Sequence, residues 1–193
     1  MNWLAHLYLS EPDAAFRVGN LLPDLTGVNQ LATLPEMFQG GIRQHRRIDG
    51  FTDTHAMVRQ SIQRVPPPLR RFGGILTDLF YDHFLSVDWP QYSATPLPAF
   101  TREVYDSFEQ FRSSLPPEVN MRLELMRVHD WLGSYQTIPG LTRTLERIAL
   151  RFSRPVNLAG AMPVLEQHYD LFHSDFQIFF PELRSHLAGN TVG

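Results

Sequence analysis

Fifteen prolines divide this chain into short intervals, and the apolar residues between them recur at spacings of three and four, which restricts the fold to short helices. Pro12, Pro23, Pro35, the run Pro66-Pro67-Pro68, Pro90, Pro96, Pro98, Pro116-Pro117, Pro139, Pro155, Pro163 and Pro181 mostly sit where a helix can begin or has just ended. Leucine occurs 25 times against 18 for valine and isoleucine together, and no long window alternates with period two, so strands are not expected. The reading is an all-α fold, a single helical domain over residues 1–193 with no repeat and no linker. Helices are expected at about 2–10, 14–22 with a turn at Pro23-Asp24, from near Pro35 through 45–65, and at 69–89. Further ones are expected at 98–114, 117–136, 139–153 and 158–188. In the fourth, Ile75, Leu76, Leu79, Phe80, Phe84 and Leu85 form an apolar face.

Composition removes several chemistries. There is no cysteine, so disulfides and thiolate metal sites are excluded, and any metal must be held by histidine and carboxylates. All 17 basic residues are arginine, which excludes a Schiff base or a lysine-bearing phosphate loop. A formal net charge of −3 argues against a whole-molecule grip on nucleic acid. No stretch approaches the roughly 20 apolar residues of a membrane span, and no basic leader opens the chain. A cytoplasmic protein is expected, with no membrane and no nucleic acid among its partners.

His6, Asp24, His45, Asp49, Asp53, His55, Asp78, Asp82 and His83 all fall in the first 90 residues. His45 and Asp49 stand four apart on a presumed helix, so both project from one face with Cβ atoms about 6 Å apart. Asp78 and Asp82 repeat that spacing inside Ile75-Leu76-Thr77-Asp78-Leu79-Phe80-Tyr81-Asp82-His83-Phe84-Leu85. This segment is too apolar for a solvated face, and burying two carboxylates without a cation is costly. Two such pairs on neighbouring helices, with His6 or Asp24 added, make a mixed shell suited to Mn²⁺, Mg²⁺ or Fe²⁺, with Zn²⁺ also open. Taken singly, His45 and Asp49 also read as a helix-surface ion pair, Asp78 as a solvated carboxylate and His6 as a hydrogen-bonded core histidine. His129-Asp130, an adjacent pair beside Trp131, reads as structural. Arg43, Arg46, Arg47, Arg59, Arg64, Arg70 and Arg71 put seven guanidinium groups into 29 residues around these groups.

Four blocks carry a resemblance. Asn2-Trp3-Leu4-Ala5-His6-Leu7, Gly19-Asn20-Leu21-Leu22-Pro23-Asp24, Gly41-Ile42-Arg43-Gln44-His45-Arg46-Arg47-Ile48-Asp49 with Thr52-Asp53, and Asp78-Leu79-Phe80-Tyr81-Asp82-His83-Phe84-Leu85 resemble the acyl carrier protein phosphodiesterases in order and spacing. The resemblance is strong over residues 1 to about 90. It implies a divergent, all-helical relative of the HD phosphohydrolases, served by Mn²⁺, that removes 4′-phosphopantetheine from a serine of holo-acyl carrier protein. It also implies His6, Asp24, His45, Asp49, Asp78 and Asp82 as the metal shell. Arg46 or Arg47 is then expected to neutralise phosphoryl charge and His83 to protonate the leaving alkoxide. Arg59, Arg64, Arg70 and Arg71 are expected to dock the acidic carrier. Two other readings stay open at this point: a metal-dependent phosphohydrolase of a small nucleotide or phospholipid diester, and a non-enzymatic helical module binding an acidic protein. Homo-oligomerisation is also open, with Tyr169, Phe172, Phe176, Phe179 and Phe180 read as core or as a surplus aromatic face.

Overall fold

Helix initiation follows the prolines. Pro90, Pro98, Pro117, Pro139 and Pro163 each occupy the first turn of a helix, where the missing amide hydrogen has no partner to lose. The computed structural model describes residues 1–189, and among them there is no strand. The helices are α1 (Trp3–Tyr8), α2 (Ala14–Leu25), α3 (Val28–Leu31), α4 (Gln39–Thr54), α5 (Ala56–Arg64), α6 (Gly73–Val87) and α7 (Trp89–Tyr92). They continue as α8 (Leu97–Phe108), α9 (Pro117–Val128), α10 (Trp131–Ser134), α11 (Ile138–Ala149), α12 (Met162–Gln167) and α13 (Tyr169–Gly189). The all-α expectation holds.

The core is built on α6 and α13. Leu76, Leu79, Phe80, Phe84 and Leu85 of α6 are buried against Phe172, Phe176, Phe179 and Phe180 of α13, with aromatic pairs such as Phe80–Phe172 meeting edge to face at 5.4 Å. The aromatic run of the last helix is therefore core and not a free face. α13 also packs on α4 and α5, and the Arg64–Asp175 ion pair, joined by Ser61 and Gln60, ties α5 to α13.

Several boundaries differ from the sequence expectation for local physical reasons. α2 runs through Pro23 to Leu25, because Leu21, Leu22 and Leu25 are buried and that burial outweighs the backbone bond proline removes. The long helix expected through residue 65 is broken at His55, which is extended and accepts the Met57 amide on Nδ1 to cap α5. The helix expected over 117–136 is broken at Asp130, with φ of 41° and a carboxylate that accepts the Gly133 amide and the Tyr105 hydroxyl. His129-Asp130 is thus a turn that starts α10 and delivers Trp131. The expected 158–188 segment likewise divides, with α13 starting after His168 and continuing through Pro181.

Two features place α1, α2 and α4 together. α2 and α4 cross at glycines: a Cβ on Gly41 would overlap the Phe16 carbonyl oxygen, and one on Gly19 would overlap that of Phe38. The backbones therefore touch directly. α1 has no side-chain cap of its own. Its first amides are instead taken by a carboxylate from α6, Asp82, which accepts Leu4 N–H at 2.7 Å and Ala5 N–H at 3.2 Å.

Gly41→Ala is expected to destabilise the protein by roughly 1–3 kcal/mol through overpacking. Gly50, in the same helix with open space around its Cα, is the contrasting site: Gly50→Ala should stabilise by about 0.5–1 kcal/mol. Urea midpoints of the two variants check both signs.

Candidate metal centre

The i, i+4 pair on α4 lies as its spacing predicts, with His45 Nε2 2.9 Å from Asp49 Oδ2. α1 brings His6 to the other oxygen, its Nε2 3.2 Å from Asp49 Oδ1, and the two imidazoles stack at 4.2 Å. His6, His45 and Asp49 thus offer three ligand atoms within 4.8 Å of one another. Asp24, at the end of α2, stands next to them, with Oδ1 3.8 Å from His45 Nε2 and Oδ2 accepting the Trp3 indole N–H at 2.9 Å.

Asn20 decides what the imidazoles can do. Its amide nitrogen donates to the His6 carbonyl at 2.7 Å and to Ser10 Oγ at 2.9 Å, so its oxygen is the atom that meets His6 Nδ1 at 3.0 Å. The Asn20 backbone carbonyl meets His45 Nδ1 at 2.7 Å. Both Nδ1 atoms must therefore carry hydrogen, and both Nε2 atoms turn lone pairs toward the Asp49 carboxylate unless a proton or a metal ion intervenes. The Met1 carbonyl, 3.2 Å from His6 Nε2, adds another acceptor. Apart from the Met1 ammonium, 3.8 Å from Asp49 Oδ1, the convergence is made of acceptors with fixed tautomers behind them, which is the donor chemistry of a divalent-cation site.

The electrostatics agree. Burial opposes charge on His45, but the hydrogen bond and the charge of Asp49, with Asp24 beyond, outweigh it and raise the pKa. Burial dominates at His6 and lowers its pKa. Burial alone would raise Asp49, yet the bonds to His45 and His6 hold its carboxyl well below the usual carboxylate range.

The second carboxylate pair separates. Asp78 reaches the same region, 3.2 Å from the α-amino nitrogen of Met1, and burial raises its pKa against the pull of that ammonium group. Asp82 is wholly buried one turn on, with both oxygens engaged by α1, and burial pushes its carboxyl up to about 8. The structure corrects the expectation that both would face one ion: Asp78 faces the site, and Asp82 holds the helix that carries His6.

A cavity of about 480 Å³ opens beside the centre. Asp24, Asp49, Asp53 and Asp78 line part of it, and Trp3, Trp131, Arg122, Arg147 and Arg151 line another. His83, Arg46 and Arg47 do not. His83 Nδ1–H donates to the Tyr135 carbonyl at 2.8 Å while Nε2 accepts the Tyr169 hydroxyl at 2.9 Å. Arg46 is exposed, and Arg47 donates to Gln44 Oε1 and to the Leu187 carbonyl, each at 3.2 Å. Among the expected docking charges, Arg64 is neutralised by Asp175, Arg70 donates to the Val65 and Gln63 carbonyls, Arg71 lies over Phe72, and Arg59 is exposed. Sequence reasoning gives no role to Asn20, Trp3 or the three arginines of the later helices. Asn20 and Trp3 do stand inside the family-like blocks, as the polar and indole groups nearest the histidine and aspartate, whereas Arg122, Arg147 and Arg151 carry no local signal.

The chain matches the family model described as acyl carrier protein phosphodiesterase over residues 1–183. It is 34% identical to an acyl carrier protein phosphodiesterase of Enterobacter sp. (strain 638) over 184 residues, covering 95% of each chain. It is 33% identical over 185 residues to one of Photorhabdus laumondii, covering 94% of this chain and 92% of the relative. No solved structure matches the chain significantly.

Two measurements probe the centre. Asn20→Ala, which removes the acceptor that fixes the His6 tautomer, should weaken Mn²⁺ binding roughly 10–100-fold by calorimetry. Asp82 titrates near 8 when folded and at about 4 when unfolded, so its contribution is fully present below about pH 4 and is lost as pH rises toward the folded value. The metal-free wild type should lose urea resistance between about pH 5 and 8. Asp82→Asn, which cannot ionise, should have a shallower slope, with His45 and Asp78, whose pKa values are also raised, contributing to the remainder; equal slopes in the two proteins would show that Asp82 is not the titrating group.

Proposed function

The chain belongs to the acyl carrier protein phosphodiesterase family, and from that premise we propose that it hydrolyses the phosphodiester joining 4′-phosphopantetheine to a serine of holo-acyl carrier protein. Water adds at phosphorus, the bond to the serine oxygen breaks, and the products are the apo carrier and the 4′-phosphopantetheine monoester. The observation that carries the reading is the acceptor convergence of His6, His45 and Asp49 at the edge of an acidic cavity. Those three residues, with Asp24 adjoining and Asp78 close by on the far side of the Met1 α-amino group, would hold a divalent ion, Mn²⁺ being favoured by the family resemblance. When bound, such an ion lowers the pKa of water and stabilises phosphoryl charge.

The chain's own groups supply the rest. Asn20 orients the imidazoles, and the Trp3 indole holds Asp24. Asp78 also faces the cavity, 3.2 Å from the Met1 α-amino nitrogen, and joins the carboxylates that would hold the ion. Arg59, Arg70 and Arg71 retain the charge to steer an acidic carrier, which makes the rate of encounter fall with added salt. No described helix is long and apolar enough to cross a membrane.

Intact-mass spectrometry of a holo-acyl carrier protein incubated with the purified protein tests the reading. Conversion to the apo mass is expected with Mn²⁺ and not with chelator, and His45→Ala should reduce it at least a hundredfold. Persistence of the holo mass with every divalent ion would overturn the assignment.

A further inference from the structure

The cavity has a second half that the metal centre does not use. Arg122 from α9 and Arg147 and Arg151 from α11 and the turn after it line this half, and among the described residues none has a carboxylate within ion-pair distance. Each is instead positioned by neutral groups. Arg122 Nη1 donates to the Leu25 carbonyl at 3.2 Å, and Arg147 Nη2 donates to Thr144 Oγ1 at 2.8 Å. The Arg147 guanidinium lies 4.1 Å above the Trp131 ring and that of Arg151 lies 5.6 Å above Trp3. The two indoles are themselves stacked at 5.6 Å, nearly parallel. Two cations thus lie on a rigid aromatic platform with Arg122 lining the same cavity, and most of the three residues' N–H donors are unspent.

This crowding has a cost. Burial lowers the pKa of Arg147 and of Arg151, and neighbouring arginines push both the same way: Arg143 and Arg151 on the first, Arg122 on the second. The cavity is lined by acceptors from α2, α4 and α6, with the Met1 ammonium among them, and by guanidinium donors from α9, α11 and the turn after it. The first calls for a cation and the second for an anion.

We infer that Arg122, Arg147 and Arg151 form a phosphate seat that binds a phosphoryl group without help from a metal. The inference deepens the proposed function and rests on it for the natural ligand, the phosphoryl group of the phosphopantetheine arm. Planar guanidinium donors match its oxygens, and Ile75, Ile148 and Phe152 line the same cavity and offer apolar surface to the carbon chain attached to the phosphate. Trp3 sets the spacing between the halves, because its N–H holds Asp24 while its face carries Arg151 and Trp131. Arg147, the best seated of the three, is a binding residue for the ground state and for the monoester product.

The test uses the full chain in chelator, with inorganic phosphate and then 4′-phosphopantetheine as probes, read by calorimetry. Both are expected to bind the metal-free wild type, and Arg147→Gln should weaken each by about tenfold or more. Arg151→Gln changes a residue in the turn after α11, outside any helix, so it serves as the second variant should Arg147→Gln lose its fold, and it should weaken both probes in the same direction. Asp49→Asn, which removes a residue of the metal centre, should leave metal-free phosphate binding in place. Binding that appears only after Mn²⁺ is added, or that survives both arginine substitutions, overturns the seat. If the holo carrier is never cleaved but phosphate binding depends on the arginines, the proposed reaction falls and the seat stands. If the carrier is cleaved while both arginine variants keep full phosphate affinity, the reaction stands and the seat falls.

Discussion

The direct contact of two helix backbones is the constraint on which the site depends. α2 and α4 meet where Gly19 and Gly41 leave no side chain between them, and at that distance a backbone carbonyl of α2 can reach an imidazole of α4. Asn20 stands beside this crossing and spends its side-chain amide on α1 and its backbone carbonyl on α4. One residue therefore fixes the protonated nitrogen of both histidines. Added bulk at either glycine would separate His45 from Asn20, since closely packed interiors transmit such strain instead of absorbing it.

Polar groups buried around the centre divide by what surrounds them. Asp82 is deep and dry, and it serves as a cap for a helix that has none, so its value is in holding α1 at a fixed angle to α6. Asp78, one turn earlier on the same face, reaches the cavity. The spacing of four residues is identical in meaning for the two, yet depth gives them different work. His83 shows the same effect: it is a satisfied histidine bound between Tyr135 and Tyr169, remote in its bonding from the carboxylates that precede it in sequence.

The cavity unites the two parts of the chain. Its acidic side comes from the first 90 residues, where the family resemblance is densest, and its basic side comes from α9, α11 and the turn that follows α11. Trp3 joins them, because an indole can donate a hydrogen bond at its edge while stacking on its face. The turn at Asp130 contributes by releasing the chain from α9 so that Trp131 can lie under Arg147.

The sequence by itself determined the helical class, most helix starts, the i, i+4 geometry of His45 and Asp49, and the ligand chemistry left once cysteine and lysine were absent. These are local properties: proline fixes φ, helical periodicity fixes which side chains share a face, and composition fixes the available donors. Tertiary structure alone decided that α2 continues through Pro23, that Asp82 caps α1, that His83 and Arg47 are spent on backbone carbonyls, and that Arg122, Arg147 and Arg151 share a cavity with Asp49. Each of those outcomes depends on contacts between residues far apart in the chain, and on how deeply each group is buried. No spacing within one helix encodes either.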